Sequence, residues 1–146
     1  MTESQYLEIA IEGMKEELEK FNNQLLILEK EPENQDVINK IFKYEMFRMA
    51  HSLKGIAAMM GYKRMQYLTQ DIENICHEVA VDRMKMNPEL LDILFQCLEA
   101  LKEHLSCVIE TSNEGTNENE PLIARLDAIL LNCPFGCYSI KTRNFK

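Results

Sequence analysis

An all-α fold, an up-down antiparallel four-helix bundle with an additional C-terminal helix, is predicted by three features of the sequence. Long stripes of apolar residues recur at steps of three and four. The segments between them are short and polar. Only five glycines and four prolines occur in 146 residues, too few turn-formers for a sandwich or barrel. The length is that of one domain. With 46% hydrophobic and 27% charged residues, the chain can bury a core of its own.

In the first stripe, Leu7, Ile11, Met14, Leu18, Phe21, Leu25 and Leu28 share one face of a helix. Ser4 is available to cap its start. The Glu-Pro-Glu-Asn at 31–34 ends it, since Pro32 has no N–H with which to continue the ladder. The second stripe is Ile38, Phe42, Met46, Met49, Leu53, Ala57 and Met60, stopped by Gly61, the residue type best suited to a left-handed cap. Met65, Leu68, Ile72, Ile75 and Val79 form the third. Leu91, Leu94, Leu98, Leu101, Leu105 and Val108 form the fourth, introduced by Asn87 as cap and Pro88 in the first turn. The connections near 30–35, 61–64 and 81–87 are too short to return along a helix, so successive helices run antiparallel. A polar loop at 112–119 leads through Pro121 to a shorter fifth helix with Leu122, Leu126, Ile129 and Leu130 on one face. It is expected to pack against the side or end of the bundle. Residues 1–132 are read as the bundle domain. Residues 133–146 are read as a loose tail, basic through Lys141, Arg143 and Lys146.

Sixteen basic residues against 24 acidic ones leave a net charge of −8. That balance argues against nucleic acid and anionic membrane surfaces as partners. The N-terminal Met-Thr-Glu-Ser-Gln-Tyr has neither a basic nor an apolar leader region, and no apolar run approaches about eighteen residues. A cytoplasmic location is expected. The five cysteines, Cys76, Cys97, Cys107, Cys133 and Cys137, are odd in number, and three fall within helical patterns. They read as reduced thiols used as small apolar residues. Cys133 and Cys137 lack the second pair or nearby His that a zinc site needs. The residues three before His51, His77 and His104 are Arg48, Asn74 and Leu101, so the Glu-x-x-His pairs of di-metal bundles do not occur. There is no phosphate-binding loop and no H-E-x-x-H.

One histidine stands apart. With Leu53 as the centre of the second stripe, His51 lies about 160° away, pointing outward. Lys54, Gly55 and Ala58 are its neighbours one and two turns on. A glycine inside a helix costs about 1 kcal/mol relative to alanine, which makes sense where something must approach the backbone. An imidazole kept open in this way offers a nitrogen lone pair for nucleophilic attack. On the third helix Gln70, Glu73 and His77 lie between about 100° and 160° from the stripe centre, on one flank. If that flank borders His51, Glu73 can accept a hydrogen bond from one ring nitrogen and leave the other free. Lys54 can then meet an incoming phosphoryl group. Met59 and Met60 read first as adaptable packing and second as a docking surface beside the active helix. His77 reads as surface decoration and His104 as structural.

His51-Ser52-Leu53-Lys54-Gly55 followed by Gly61 gives H-x-x-K-G-x5-G, and this resembles the histidine-containing phosphotransfer (HPt) domains, in particular the N-terminal P1 domains of CheA-type chemotaxis kinases. The long acidic first helix, Ile41-Phe42 ahead of the histidine and Glu73-Asn74 on the next helix extend the likeness over roughly residues 3–132. The resemblance implies a phosphotransfer bundle in which His51 is phosphorylated, Lys54 is the basic neighbour, Glu73 its hydrogen-bond partner and Gln70 the adjoining polar group. Gly55, Ala58 and Met59 would form the access surface. It implies as partners a histidine kinase catalytic domain, which supplies ATP and Mg2+, and an aspartate of a response-regulator receiver. No cofactor would be bound by the chain itself, which would be a carrier and not an enzyme.

The sequence departs from the family at Gln70, where a second histidine or another polar group is common, and at Ile56, where a small residue is common. Nothing in the resemblance accounts for Cys133 to Lys146. A helical interaction module without phosphate chemistry is the alternative, and either a free-standing carrier or one module of a larger kinase fits the pattern.

Overall fold

The computed structural model describes residues 1–131, and every regular element in them is helical. Cys133, Cys137 and the basic tail read from the sequence lie outside the described residues. The elements are α1 (Glu3–Lys30), α2 (Gln35–Lys40), a π-helical turn (Ile41–Glu45), α3 (Met46–Met60), α4 (Lys63–Ala80), α5 (Pro88–Thr111) and α6 (Glu120–Leu131). Helix α2, the π turn and α3 follow one path, because the junction residues all keep right-handed helical torsions.

The helices form a ring in which α1 neighbours α3 and α5, and α4 neighbours the same two. This is the antiparallel four-helix bundle. Helix α6 lies along its side, against α5 and α4, with Leu122, Leu126 and Leu130 buried and Ile129 partly so. Helices α1 and α3 approach closely at Gly13, where a Cβ would come within 2.9 Å of Ile56 Cδ1. No helix among the described residues is long and apolar enough to cross a membrane.

The helix signals hold at Gly61, which ends α3 with φ of 75°, and at Asn87, whose side chain accepts from the backbone N–H of Leu90. The first cap differs from expectation. Thr2, not Ser4, caps α1: its hydroxyl accepts from Gln5 N while Gln5 Oε1 accepts from Thr2 N. That reciprocal capping box satisfies two orphan donors, whereas a single cap at Ser4 would satisfy one.

The second stripe holds and gains Ile41. A uniform α-helix would put Ile41 about 120° from Leu53, outside the seam. The π turn accommodates one extra residue, swinging Ile41 back to within about 20° of Leu53 on the same reckoning. Ile41 is buried as a result, beside Ile38, Phe42 and Met46 of the predicted stripe.

The fourth helix has two buried faces rather than one stripe. Leu90, Ile93, Cys97, Ala100 and His104 are buried beside Leu94, Leu98, Leu101, Leu105 and Val108, while Leu91 is only partly covered. The cause is that α5 packs on three helices, α1, α4 and α6. On α1, Leu7 and Ile11 lie at the margin and Ala10 takes the core position.

The polar loop at 112–119 turns inward. Tyr62, at the N-cap of α4, offers that helix no side-chain cap. Glu114 supplies it instead, its two carboxylate oxygens accepting from the backbone N–H groups of Arg64 and Met65, each at 2.9 Å. A carboxylate at a helix N-terminus satisfies orphan donors and meets the positive end of the dipole. His104 Nδ1 donates to the Glu114 carbonyl at 2.7 Å, and its Nε2 accepts from Asn119 Nδ2 at 2.8 Å. Tyr62 Oη donates to the Ser112 carbonyl. His104 is thus structural, as its sequence context indicates.

Candidate functional site

Helices α3 and α4 lie side by side and antiparallel, which brings the middle of one against the middle of the other. His51 projects from the outer face of α3, with its side chain 68% exposed. Its Nδ1 lies 3.0 Å from Oε1 of Glu73 on α4. A carboxylate has no proton to give, so Nδ1 carries the hydrogen and donates it. The lone pair is then on Nε2, the ring atom that faces away from the bundle's carboxylate.

Glu73 is itself buried, at 7% exposure. It sits beneath the side chains of His51 and Lys54, which cover the flank where the helical wheel put it. Burying a carboxylate is costly unless its oxygens find donors. Here both do, because Oε2 accepts from Lys54 Nζ at 2.7 Å. Lys54 Nζ also donates to Gln70 Oε1 at 3.1 Å, and Gln70 Nε2 donates to Asn74 Oδ1 at 2.9 Å. One continuous chain of hydrogen bonds therefore joins His51, Glu73, Lys54, Gln70 and Asn74. Its effect is to hold the ring by one edge and to park a partly exposed ammonium beside it.

The access residues fall in two groups. Gly55 and Ala58 are exposed on the strip that His51 begins, and a Cβ on Gly55 would meet no atom within 4 Å. No packing among the described residues requires a glycine there. Met59, 74% exposed, faces the α1 side, where it joins Tyr6, Ile9, Gly13, Ile56 and Met60 around an open groove of about 950 Å³. Ile56, the departure from the family pattern, is directed at Gly13 on α1 and does not shield the imidazole. His77 is exposed on α4.

Sequence reasoning missed Phe47. Its ring is parallel to that of His51 within 9°, with centroids 6.2 Å apart. The signal was present, as an aromatic four residues before the histidine lies on the same helix face. Ile41 and Phe42, ahead of the histidine in the chain, are core residues, as the apolar stripe predicts for Phe42.

Among the described residues no group of three or more His, Cys, Asp or Glu side chains is arranged to hold a metal ion. Cys76, Cys97 and Cys107 are free thiols. Burial pushes the Cys76 and Cys97 thiols far up, with the Glu73 and Asp71 carboxylates adding to it respectively, so neither is a nucleophile at neutral pH.

Comparison with known proteins gives a consistent result. The model of the Hpt domain family matches residues 5–104. The chain is 34% identical over 127 residues to the chemotaxis protein CheA of Bacillus subtilis, covering 87% of this chain and 18% of that protein. It is 35% identical over 124 residues to CheA of Listeria monocytogenes, covering 85% and 19%. A solution structure of the histidine phosphotransfer domain of CheA superimposes with a TM-score of 0.72 at 28% identity, covering 95% of this chain and 99% of that one. The chain thus spans less than a fifth of the length of these curated relatives.

Proposed function

The chain belongs to the Hpt domain family, and on that premise we propose that it carries phosphoryl groups in chemotaxis signalling, with His51 as the phosphoacceptor. The observation that carries this reading is the geometry of one ring: Nδ1 is tied to Glu73 at 3.0 Å, and the side chain that bears Nε2 is 68% exposed.

In the first step the Nε2 lone pair attacks the γ-phosphorus of ATP held by a separate histidine kinase catalytic domain. The N–P bond forms as the bond from phosphorus to the ADP oxygen breaks, and ADP leaves with that electron pair. The ring gains positive charge, which the Glu73 carboxylate beside Nδ1–H stabilises. Lys54 is close enough to turn from Glu73 toward the phosphoryl oxygens. In the second step an aspartate oxygen of a response-regulator receiver attacks the same phosphorus. The O–P bond forms, the N–P bond breaks and its electron pair returns to Nε2. ATP and Mg2+ belong to the partner domains, and the carrier's part is to present an oriented nucleophile. We place this exchange in the cytoplasm, where ATP is available.

The test is incubation of the chain with a CheA-type kinase core, ATP and Mg2+, followed by mapping of acid-labile, base-stable phosphate by mass spectrometry. Phosphate on His51 in the native chain and none in His51→Gln is the expected result. Label retained at full level in His51→Gln would overturn the assignment.

A further inference from the structure

Glu73 holds one edge of the His51 ring by a single hydrogen bond, and the tolerance of such a bond in length and angle leaves the plane of the ring room to swing. The torsion that turns an imidazole about its Cβ–Cγ bond has a broad, roughly two-fold profile, and a ring that is 68% exposed has few neighbours to narrow it. Among the described residues, the ring stacked with it is that of Phe47. Side chains on a helix lean toward its N-terminus, so the residue four before His51 is the one its ring leans over. The two rings are parallel within 9° at a centroid separation of 6.2 Å, inside the range of offset-stacked pairs.

Phe47 has no evident structural reason to be aromatic. It is 39% exposed and lies outside the buried core, on a helix whose other face already supplies Met46, Met49, Ala50 and Leu53 to the interior. A large exposed apolar side chain outside the core, stacked parallel to a reactive imidazole, calls for a reason connected with that imidazole.

We propose that Phe47 is a positioning residue for His51. Glu73 holds Nδ1 by a hydrogen bond and the stacked Phe47 ring narrows the swing of the imidazole about its Cβ–Cγ bond, so that together they aim Nε2 along one direction. The inference rests on His51 being the phosphoacceptor. Near-attack alignment of a nucleophile contributes strongly to rate and little to partner affinity, so the effect belongs in kcat.

The test compares Phe47→Ala, Phe47→Leu and Phe47→Tyr with the native chain in three measurements: phosphorylation kinetics with a CheA-type kinase core, thermal unfolding, and the 15N NMR signature of the His51 ring. Phe47→Ala is expected to lower kcat by about 5- to 20-fold with KM and unfolding temperature nearly unchanged. The His51 ring nitrogens should keep the tautomer that Glu73 fixes, while their relaxation reports a wider swing of the ring. Tyr, which keeps the aromatic face, should restore both the rate and the ring signature, and Leu should restore neither. A native kcat in Phe47→Ala, a raised KM with an unaltered ring signature, or full rescue by Leu would each overturn the proposal. If the native chain takes no phosphate at His51, the functional reading fails, while the NMR comparison still reports whether Phe47 orders the ring.

Discussion

Glu73 serves His51 and Lys54 at once, with Oε1 3.0 Å from His51 Nδ1 and Oε2 2.7 Å from Lys54 Nζ. One buried carboxylate thereby fixes the tautomer of the nucleophile and holds the cation in reserve. Removing it exacts two penalties, whereas removing Lys54 exacts one. Glu73→Ala should slow phosphorylation by about 10- to 100-fold and Lys54→Ala by roughly 3- to 10-fold. Single-turnover labelling of the two variants side by side measures the ratio. Equal losses would show that the carboxylate acts only by holding the lysine.

Gly55 gives opposite outcomes for stability and function. Since a Cβ there meets nothing within 4 Å among the described residues beyond its own helix backbone, Gly55→Ala should stabilise the helix by about 0.5–1 kcal/mol. The added methyl would stand on the surface that a partner domain must approach, so phosphoryl transfer should slow. Urea unfolding and transfer to a receiver read the two effects separately. A stabilised variant with unaltered transfer would mean that partners do not come near this part of α3.

Glu114 reaches across about fifty positions of sequence to cap α4, accepting from Arg64 N and Met65 N. Glu114→Gln keeps the size but loses the charge and one of the two acceptor oxygens. A cost of about 1–2 kcal/mol is expected, seen as a drop of about 2–6 °C in the thermal midpoint. Since α4 also carries Glu73, the His51 ring signature provides a second readout. It should remain native at temperatures where the variant is folded.

Tyr62 provides a pH dependence. Burial pushes its hydroxyl above the ordinary phenol value, and the Glu114 carboxylate adds to the effect. Above about pH 10 the unfolded chain releases this proton while the folded chain retains it. The unfolded state then binds fewer protons, so stability is at its full value below that pH and declines as pH rises through the folded-state value. Denaturant titrations between about pH 9 and 11 should show a steeper decline for the native chain than for Tyr62→Phe. Identical slopes would exclude Tyr62 as the source.

The sequence by itself determined the helices and the exposed setting of His51, which are matters of local periodicity, and the antiparallel order of the helices, which follows from the shortness of the connections. Apolar steps of three and four define a buried face within one helix, and whatever lies opposite faces outward. Lys54 and Gly55 were legible for the same reason, being one turn from His51 on its own helix. Only the tertiary structure decided that Glu73 is buried and joins His51 to Lys54, that the π turn brings Ile41 inward, and that Glu114 caps α4. His51 and Glu73 are 22 residues apart and Glu114 and Met65 are 49 apart. Contacts of that separation depend on how two helices rotate and slide against one another, and no repeat within either helix encodes that.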